Sequence, residues 1–144
     1  MTLISIIIPT KNRPNLLSNS VDSVINQSYK NWELYIVNDS NKEIIINQTD
    51  PRIHLVNNKF TPGANGARNT GINLSSGKFI SFLDDDDTWK KNKLEIQFKL
   101  MESSDAILSY TGKRIVYKTR KAIKEKSSYK KTYFSPKFTL QFHN

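Results

Sequence analysis

Six residues near the N-terminus, Leu3-Ile4-Ser5-Ile6-Ile7-Ile8, form an apolar, β-branched run that stops at Pro9. A strand covered on both faces reads this way, because neither side meets water and the alternation of a half-exposed strand disappears. Such a strand lies inside a sheet, and parallel neighbours require long crossovers, most often helices. The sequence after Pro9 supplies them. Asn12-Arg13-Pro14 makes a turn that opens a helix, with Leu17, Val21, Val24 and Ile25 on one face. Trp32 to Val37 is a second expected strand, ending at Asn38-Asp39-Ser40, and Ile53 to Val56 a third, after the Asp50-Pro51 break. A Gly-initiated loop then runs into a helix over Gly63 to Ser75. Gly77 stops that helix, and Lys78 to Leu83 is a fourth strand. A helix over Lys91 to Glu102 carries Leu94, Phe98 and Met101 on one face, and Asp105 to Tyr117 reads as a strand pair or one bent strand.

This alternation predicts the α/β class, with a mostly parallel sheet and helices on both faces, and ligands bound beyond the C-terminal ends of the strands. Three polar stretches fall at those ends: Pro9 to Arg13, Asp39, and Asp84 to Asp87. Residues 1–118 are read as this α/β part and 119–144 as a basic tail, Lys-, Ser- and Tyr-rich, with little periodicity before Phe134 to Phe142. The net charge of +9 is uneven, since residues 1–89 hold 8 basic and 9 acidic side chains and residues 90–144 hold 14 and 4. Such an excess meets anionic lipid headgroups, an anionic acceptor or nucleic acid, or simply stands in solvent. The solvated reading is preferred, peripheral contact with a membrane surface is the partnership it allows, and nucleic acid is not the expected partner. With no cysteine, the chain has no disulfide, thiol nucleophile or Cys-rich zinc site. Met1 to Ile8 lacks a basic leader, and nothing approaches the ~20 apolar residues of a membrane span. The expected location is the cytoplasm, with the inner face of the membrane as the site of any peripheral contact.

Four consecutive carboxylates, Asp84-Asp85-Asp86-Asp87, follow the fourth strand directly. Brought together at a dry strand end they repel one another, so positive charge is expected among them. Oxygen-only ligands suit Mg²⁺ or Mn²⁺, held by one or two carboxylates with water and substrate phosphates completing the shell. The plainer alternative is an acidic turn capping the next helix, for which Asp87 and Thr88 qualify. Two other motifs match by letter. Asp84-x-Asp86-x-Thr88 resembles the first motif of haloacid-dehalogenase-type phosphotransferases, but the later acidic pair is missing and the strands lie on the wrong side of it. An EF-hand loop fails because Trp89 stands where glycine is needed and a strand precedes it. Gly63, Gly66 and Gly71 do not form a dinucleotide fingerprint, and Gly77-Lys78 lacks the Ser/Thr of a phosphate-binding loop. Arg68, where a loop enters a helix, can direct a guanidinium toward phosphate or base, or can be a plain surface residue.

Taken together in order, Ser5 to Arg13, Ser23 to Ser28, Trp32 to Asp39, Gly66 to Ile72 and Gly77 to Asp87 resemble family 2 glycosyltransferases of the GT-A fold, over most of residues 3–118. The resemblance implies a GT-A (Rossmann-like) fold and inverting transfer of a sugar from a nucleoside diphosphate donor, expected to be UDP-linked, to a saccharide hydroxyl in polysaccharide or glycan synthesis. It implies that Pro9, Thr10, Lys11 and Arg13 lie along the nucleotide and that Asp39 accepts a hydrogen bond from the base. It further places Arg68 beside base or diphosphate and Asp84 and Asp85 on the ribose side. Asp86, with Asp84, would ligate Mn²⁺ or Mg²⁺. The family's general base comes roughly a hundred residues after this motif, beyond Asn144. No catalytic base is therefore named, and the chain reads as apparently truncated. The competing readings are a catalytically incomplete donor-binding or interaction module and, through the basic tail, a nucleic-acid-binding protein.

Overall fold

In a computed structural model of the chain, residues 1–46, 48–104, 106–118 and 123–128 are described. Two compact units divide between Glu95 and Ile96.

The first unit contains β1 (Ile4–Thr10), α1 (Pro14–Ile25), β2 (Trp32–Asn38), β3 (Ile53–Asn57), α2 (Ala64–Leu74), β4 (Phe79–Phe82) and the start of α3 (Lys93–Glu102). Its strands form one sheet in the order β3-β2-β1-β4, and every pairing is parallel. The expected α/β architecture is present. β1 is buried along its whole length, as its unbroken isoleucine run requires. Ser5 is tolerated there because its hydroxyl donates to Glu33 Oε1 at 2.6 Å and accepts the Gly77 N–H at 2.8 Å.

The path through the sheet fixes where a ligand can sit. From β1 the chain moves to β2 on one side, whereas β3 is followed by β4 on the other side of β1. Right-handed crossovers running in opposite directions put α1 and α2 on opposite faces, and a crevice opens at the C-terminal ends of β1 and β4, where the path reverses. On one face, Ala67 of α2 packs with Ile7 and Val37, bordered by Tyr35 and Val56. Gly71 lets α2 lie this close, since a Cβ there would stand 2.5 Å from Ile7 Cγ2. On α1, Leu17, Val21 and Val24 are buried as expected, but the fourth buried position belongs to Ser20 rather than Ile25.

The described residues of the β2–β3 connection, 39–46 and 48–52, have neither helix nor strand, and an ion pair lies near its end. Arg52 donates from Nε to Asp50 Oδ1 at 2.9 Å and from Nη2 to Oδ2 at 2.6 Å, and its guanidinium lies 3.6 Å from the centroid of the Trp32 ring. These bonds hold the Asp50 carboxyl down to about 2, from an ordinary 3.8. A depressed carboxyl contributes stability above its unfolded value and loses it as pH falls through the folded one. Acid titration should therefore remove on the order of 1 kcal/mol across the window between 3.8 and about 2, after allowing for solvent screening. Asp50→Asn should be less stable near neutrality and should show a flatter thermal-stability profile across that window; an unchanged slope would contradict the assignment.

In the second unit α3 continues to Glu102, and β5 (Lys113–Lys118) pairs antiparallel with β6 (Ile123–Ser128). The strand expected across 105–117 is confined to its last residues, and 106–112 have no regular structure. β6 lies within the stretch read as an aperiodic tail. Its sequence, Ile-Lys-Glu-Lys-Ser-Ser, offers no apolar period, yet an antiparallel ladder needs only backbone donors and acceptors. Phe134 to Phe142 falls outside the described residues. Among the described residues no helix is long and apolar enough to cross a membrane.

Candidate functional site

β1 is longer than β4. Their last paired residues are Ile7 and Phe82, one further bond runs from Leu83 N–H to Ile7 O at 3.1 Å, and Pro9 and Thr10 then stand beside the start of the acidic cluster. Thr10 Oγ1 donates to Asp85 Oδ2 at 2.7 Å, with both side chains buried. β2 ends level with Thr10, and the Asp39 N–H donates to Thr10 O at 2.9 Å. α2 supplies Arg68 from its first turns. A cleft of about 360 Å³ results, lined by Pro9, Thr10, Lys11, Arg13, Asp39, Arg68, Asp84, Asp85 and Asp86, with Gly63 and Ala64. The nine residues that the resemblance assigns to nucleotide or metal all line this one cleft, whereas Asp87, the fourth carboxylate of the cluster, does not.

Positive charge does stand among the carboxylates, and here it is largely guanidinium. Arg68 Nη2 donates to Asp84 Oδ1 at 2.7 Å, while Arg13 Nη1 lies 3.4 Å from Asp85 Oδ1 and 3.3 Å from Asp86 Oδ2. Asp85 is the buried member, spent on Thr10 and Arg13, so little of it is left to face a ligand. Asp84 and Asp86 remain 54% and 51% exposed at the side chain. Of the carboxylates lining the cleft, these are the ones that stay exposed.

Asp39 is only 7% exposed at the side chain and is held from several directions. The Gly63 N–H donates to Oδ2 at 2.9 Å, Asn58 Nδ2 to Oδ1 at 2.7 Å, and Lys11 Nζ reaches Oδ2 at 3.3 Å. The Gly63 amide, then the Asn58 amide and Lys11, keep its carboxyl below the ordinary aspartate range against the cost of burial. Gly63 presents its N–H from φ +127°, a conformation that L side chains rarely adopt. Neither Gly63 nor Asn58 had been assigned to the site from sequence. The available signal was an Asn at a strand end followed by a loop ending in Gly, which reads equally as an ordinary turn. Lys11 and Asp39 also border a second, larger hollow of about 960 Å³, walled by Asn38, Ser40, Asn57, Asn58 and Phe60 among others.

Near the exit of the acidic loop, Lys93 Nζ donates to Ser81 Oγ at 2.9 Å and lies 3.7 Å from the centroid of the Trp89 ring. Burial pushes this ammonium down to about 7. It lies outside the cleft lining, so it is a support of the loop rather than part of the cleft.

Among the described residues no three His, Cys, Asp or Glu side chains converge to enclose an ion. What the cleft does offer is two half-exposed carboxylates on a short loop, with cationic side chains nearby. That donor set fits a hard divalent cation whose remaining positions are filled by phosphate oxygens and water, as small ions that dehydrate reluctantly prefer.

The sequence matches the model of Glycosyl transferase family 2 over residues 5–144. It is 40% identical over 118 residues to the Escherichia coli UDP-Glc:alpha-D-GlcNAc-diphosphoundecaprenol beta-1,3-glucosyltransferase WfgD, covering 79% of this chain and 47% of that protein. The chain therefore spans about half the length of that relative. Among solved structures, it resembles the mannosyltransferase PcManGT from Pyrobaculum calidifontis, in complex with GDP-Man and Mn²⁺. The TM-score is 0.62 at 20% identity, over 72% of this chain and 33% of that one. It also resembles Staphylococcus aureus TarS 1–349 in complex with UDP, with a TM-score of 0.57 at 21% identity, over 69% and 32%. At such identities the likeness is one of fold, and the fold is that of GT-A glycosyltransferases.

Proposed function

The chain belongs to glycosyl transferase family 2, and from that premise we propose that its cleft binds a nucleoside diphosphate sugar, UDP-linked, together with Mn²⁺ or Mg²⁺. In this reading it is the donor half of an inverting glycosyltransferase of polysaccharide or glycan synthesis. One observation carries the proposal: exposed carboxylates and three cationic side chains, Lys11, Arg13 and Arg68, converge where the chain path reverses between β1 and β4. Solved structures of the same fold hold UDP, or GDP-Man with Mn²⁺, which supports the choice of ligand.

The residues divide the work by chemistry. Asp39 accepts from an N–H on the edge of the base in exchange for Lys11, the longest of its three contacts at 3.3 Å, with the hollow beside it giving the ring room. Arg68 and Arg13 have donors within reach of diphosphate oxygens and suit them by their planar fork geometry. Asp84 and Asp86 would hold the cation, which when bound offsets charge on the departing diphosphate as a Lewis acid. Transfer also needs a base near the acceptor hydroxyl, and none is assigned among these residues. The acceptor is a saccharide hydroxyl. A cytoplasmic location at the inner face of the membrane fits the diphosphoundecaprenol-linked acceptor named for the WfgD relative. It fits also the charge of residues 90–144, which hold 14 basic and 4 acidic side chains.

Asp39→Ala tests the base assignment. UDP affinity, measured by calorimetry, should fall about tenfold or more, the worth of a hydrogen bond to a charged acceptor. Pyrophosphate affinity should fall much less. Equal losses for both ligands would contradict a base-reading role. A second reading is a module that binds donor without completing transfer, since no base for the acceptor hydroxyl is assigned among the residues lining the cleft. Product or donor hydrolysis above background, from the chain with a panel of nucleotide sugars, would remove it.

A further inference from the structure

Residues 83–92 have neither helix nor strand, yet they carry the acidic cluster. A loop this irregular must satisfy its backbone groups elsewhere or leave them unpaired. Three side chains of α1 and its C-terminal end do so, spaced as one helical face: Ser20, Ser23 and Gln27.

Ser20 is fully buried, and its Oγ lies 2.7 Å from Asp87 O and 2.9 Å from Asp85 O. Its single proton can serve only one carbonyl at a time. Ser23 Oγ accepts the Trp89 N–H at 3.1 Å and donates to Ser20 O at 2.7 Å. Gln27, also fully buried, accepts the Leu94 N–H on Oε1 at 3.0 Å and donates from Nε2 to Lys90 O at 2.9 Å. The loop is thus fastened at four places between Asp85 and Leu94 by side chains more than sixty residues earlier. These bonds reach backbone and leave the carboxylates to the cleft.

We propose that Ser20, Ser23 and Gln27 are positioning residues that set the height and direction of Asp84 and Asp86 in the cleft. The inference rests on the metal and nucleotide reading above. Mutually repelling carboxylates on an unladdered loop would otherwise spread apart. A divalent ion that demands near-ideal geometry penalises that freedom directly. Residues that orient ligands from behind typically change metal affinity by about 10- to 100-fold when removed.

The test compares Ser20→Ala with Val24→Ala in the full chain. Val24 is a buried apolar residue of the same helix, without a bond to the loop. For each protein, thermal melting is recorded, UDP affinity is measured with and without Mn²⁺, and amide exchange is followed at Trp89 and Leu94. Ser20→Ala should lose about 10-fold or more of the gain in UDP affinity that Mn²⁺ provides, with metal-free UDP binding retained and exchange at Trp89 accelerated. Val24→Ala should lower the melting temperature and keep the Mn²⁺ gain. Ser23→Ala, a milder change at a less buried site, should act in the same direction as Ser20→Ala. If the serine variants keep the Mn²⁺ gain, or lose it only in step with Val24→Ala, the positioning role is overturned. If the parent chain gains nothing from Mn²⁺, the metal reading itself falls and this proposal with it, an outcome visible before any variant is made.

Discussion

Alanine at position 66 should cost the chain its α2 docking and its nucleotide site together. A Cβ on Gly66 would lie 1.9 Å from Thr61 O and 3.1 Å from Asn58 Nδ2. The first contact is with backbone, so no rotamer change relieves it. Thr61 belongs to the loop through which Asn58 reaches Asp39, and Asn58 Nδ2 also bonds Thr61 O at 3.3 Å. Gly66 also precedes Arg68 by two residues, on the turn that aims its guanidinium at Asp84. Relief must come from moving the loop, the helix or both. Overpacking of this severity costs about 3 kcal/mol or more, on the order of 10 °C in melting temperature for a chain of this size. UDP affinity should fall with it, because Asp39 and Arg68 are displaced by the same movement. Thermal melting and calorimetry check both; a Gly66→Ala protein with parental values in each would show that the close approach of Gly66 to Thr61 holds neither α2 nor Asp39 in place.

Asp86→Ala should separate two contributions that most substitutions mix. Asp86 is half-exposed and bonded to Arg13 at 3.3 Å. Its removal takes away an oxygen donor for the cation, and the gain in UDP affinity on adding Mn²⁺ should drop by about 100-fold or vanish. The same substitution releases Arg13 from one of its two carboxylate partners. Metal-free UDP binding should therefore stay level or rise, since a freed guanidinium can turn to the diphosphate. Calorimetry with and without Mn²⁺ reads both signs. An undiminished Mn²⁺ gain would refute the metal assignment, and a fall in metal-free binding would refute the competition between Asp86 and phosphate for Arg13.

How much of this could be read beforehand depends on where each signal was stored. The core strand was legible because a run of isoleucines has one economical use, and the cleft because Asp84 to Asp87 directly follow a strand. Their neighbours at the other strand ends were then placed by topology. Ser20, Ser23 and Gln27 were not legible, because polar residues on a helix face look like a surface until the loop they hold is seen. Ser20 in fact occupies the buried position expected of Ile25. Asn58 and Gly63 were missed for a related reason: a turn needs such residues whether or not it also holds Asp39. β6 was missed because Lys and Glu alternate there without an apolar partner, and only the pairing with β5 reveals the strand.

The internal pairing of the cleft has a consequence for what can enter it. Four carboxylates and three cationic side chains line it, so by formal charge the lining is one unit negative. A donor with about two negative charges, arriving with a divalent ion, adds nothing to that balance, while either alone tips it by two units. On the proposed reading the donor alone would leave the lining three units negative and the ion alone one unit positive, so it is the nucleotide, rather than the metal, that gains by arriving paired.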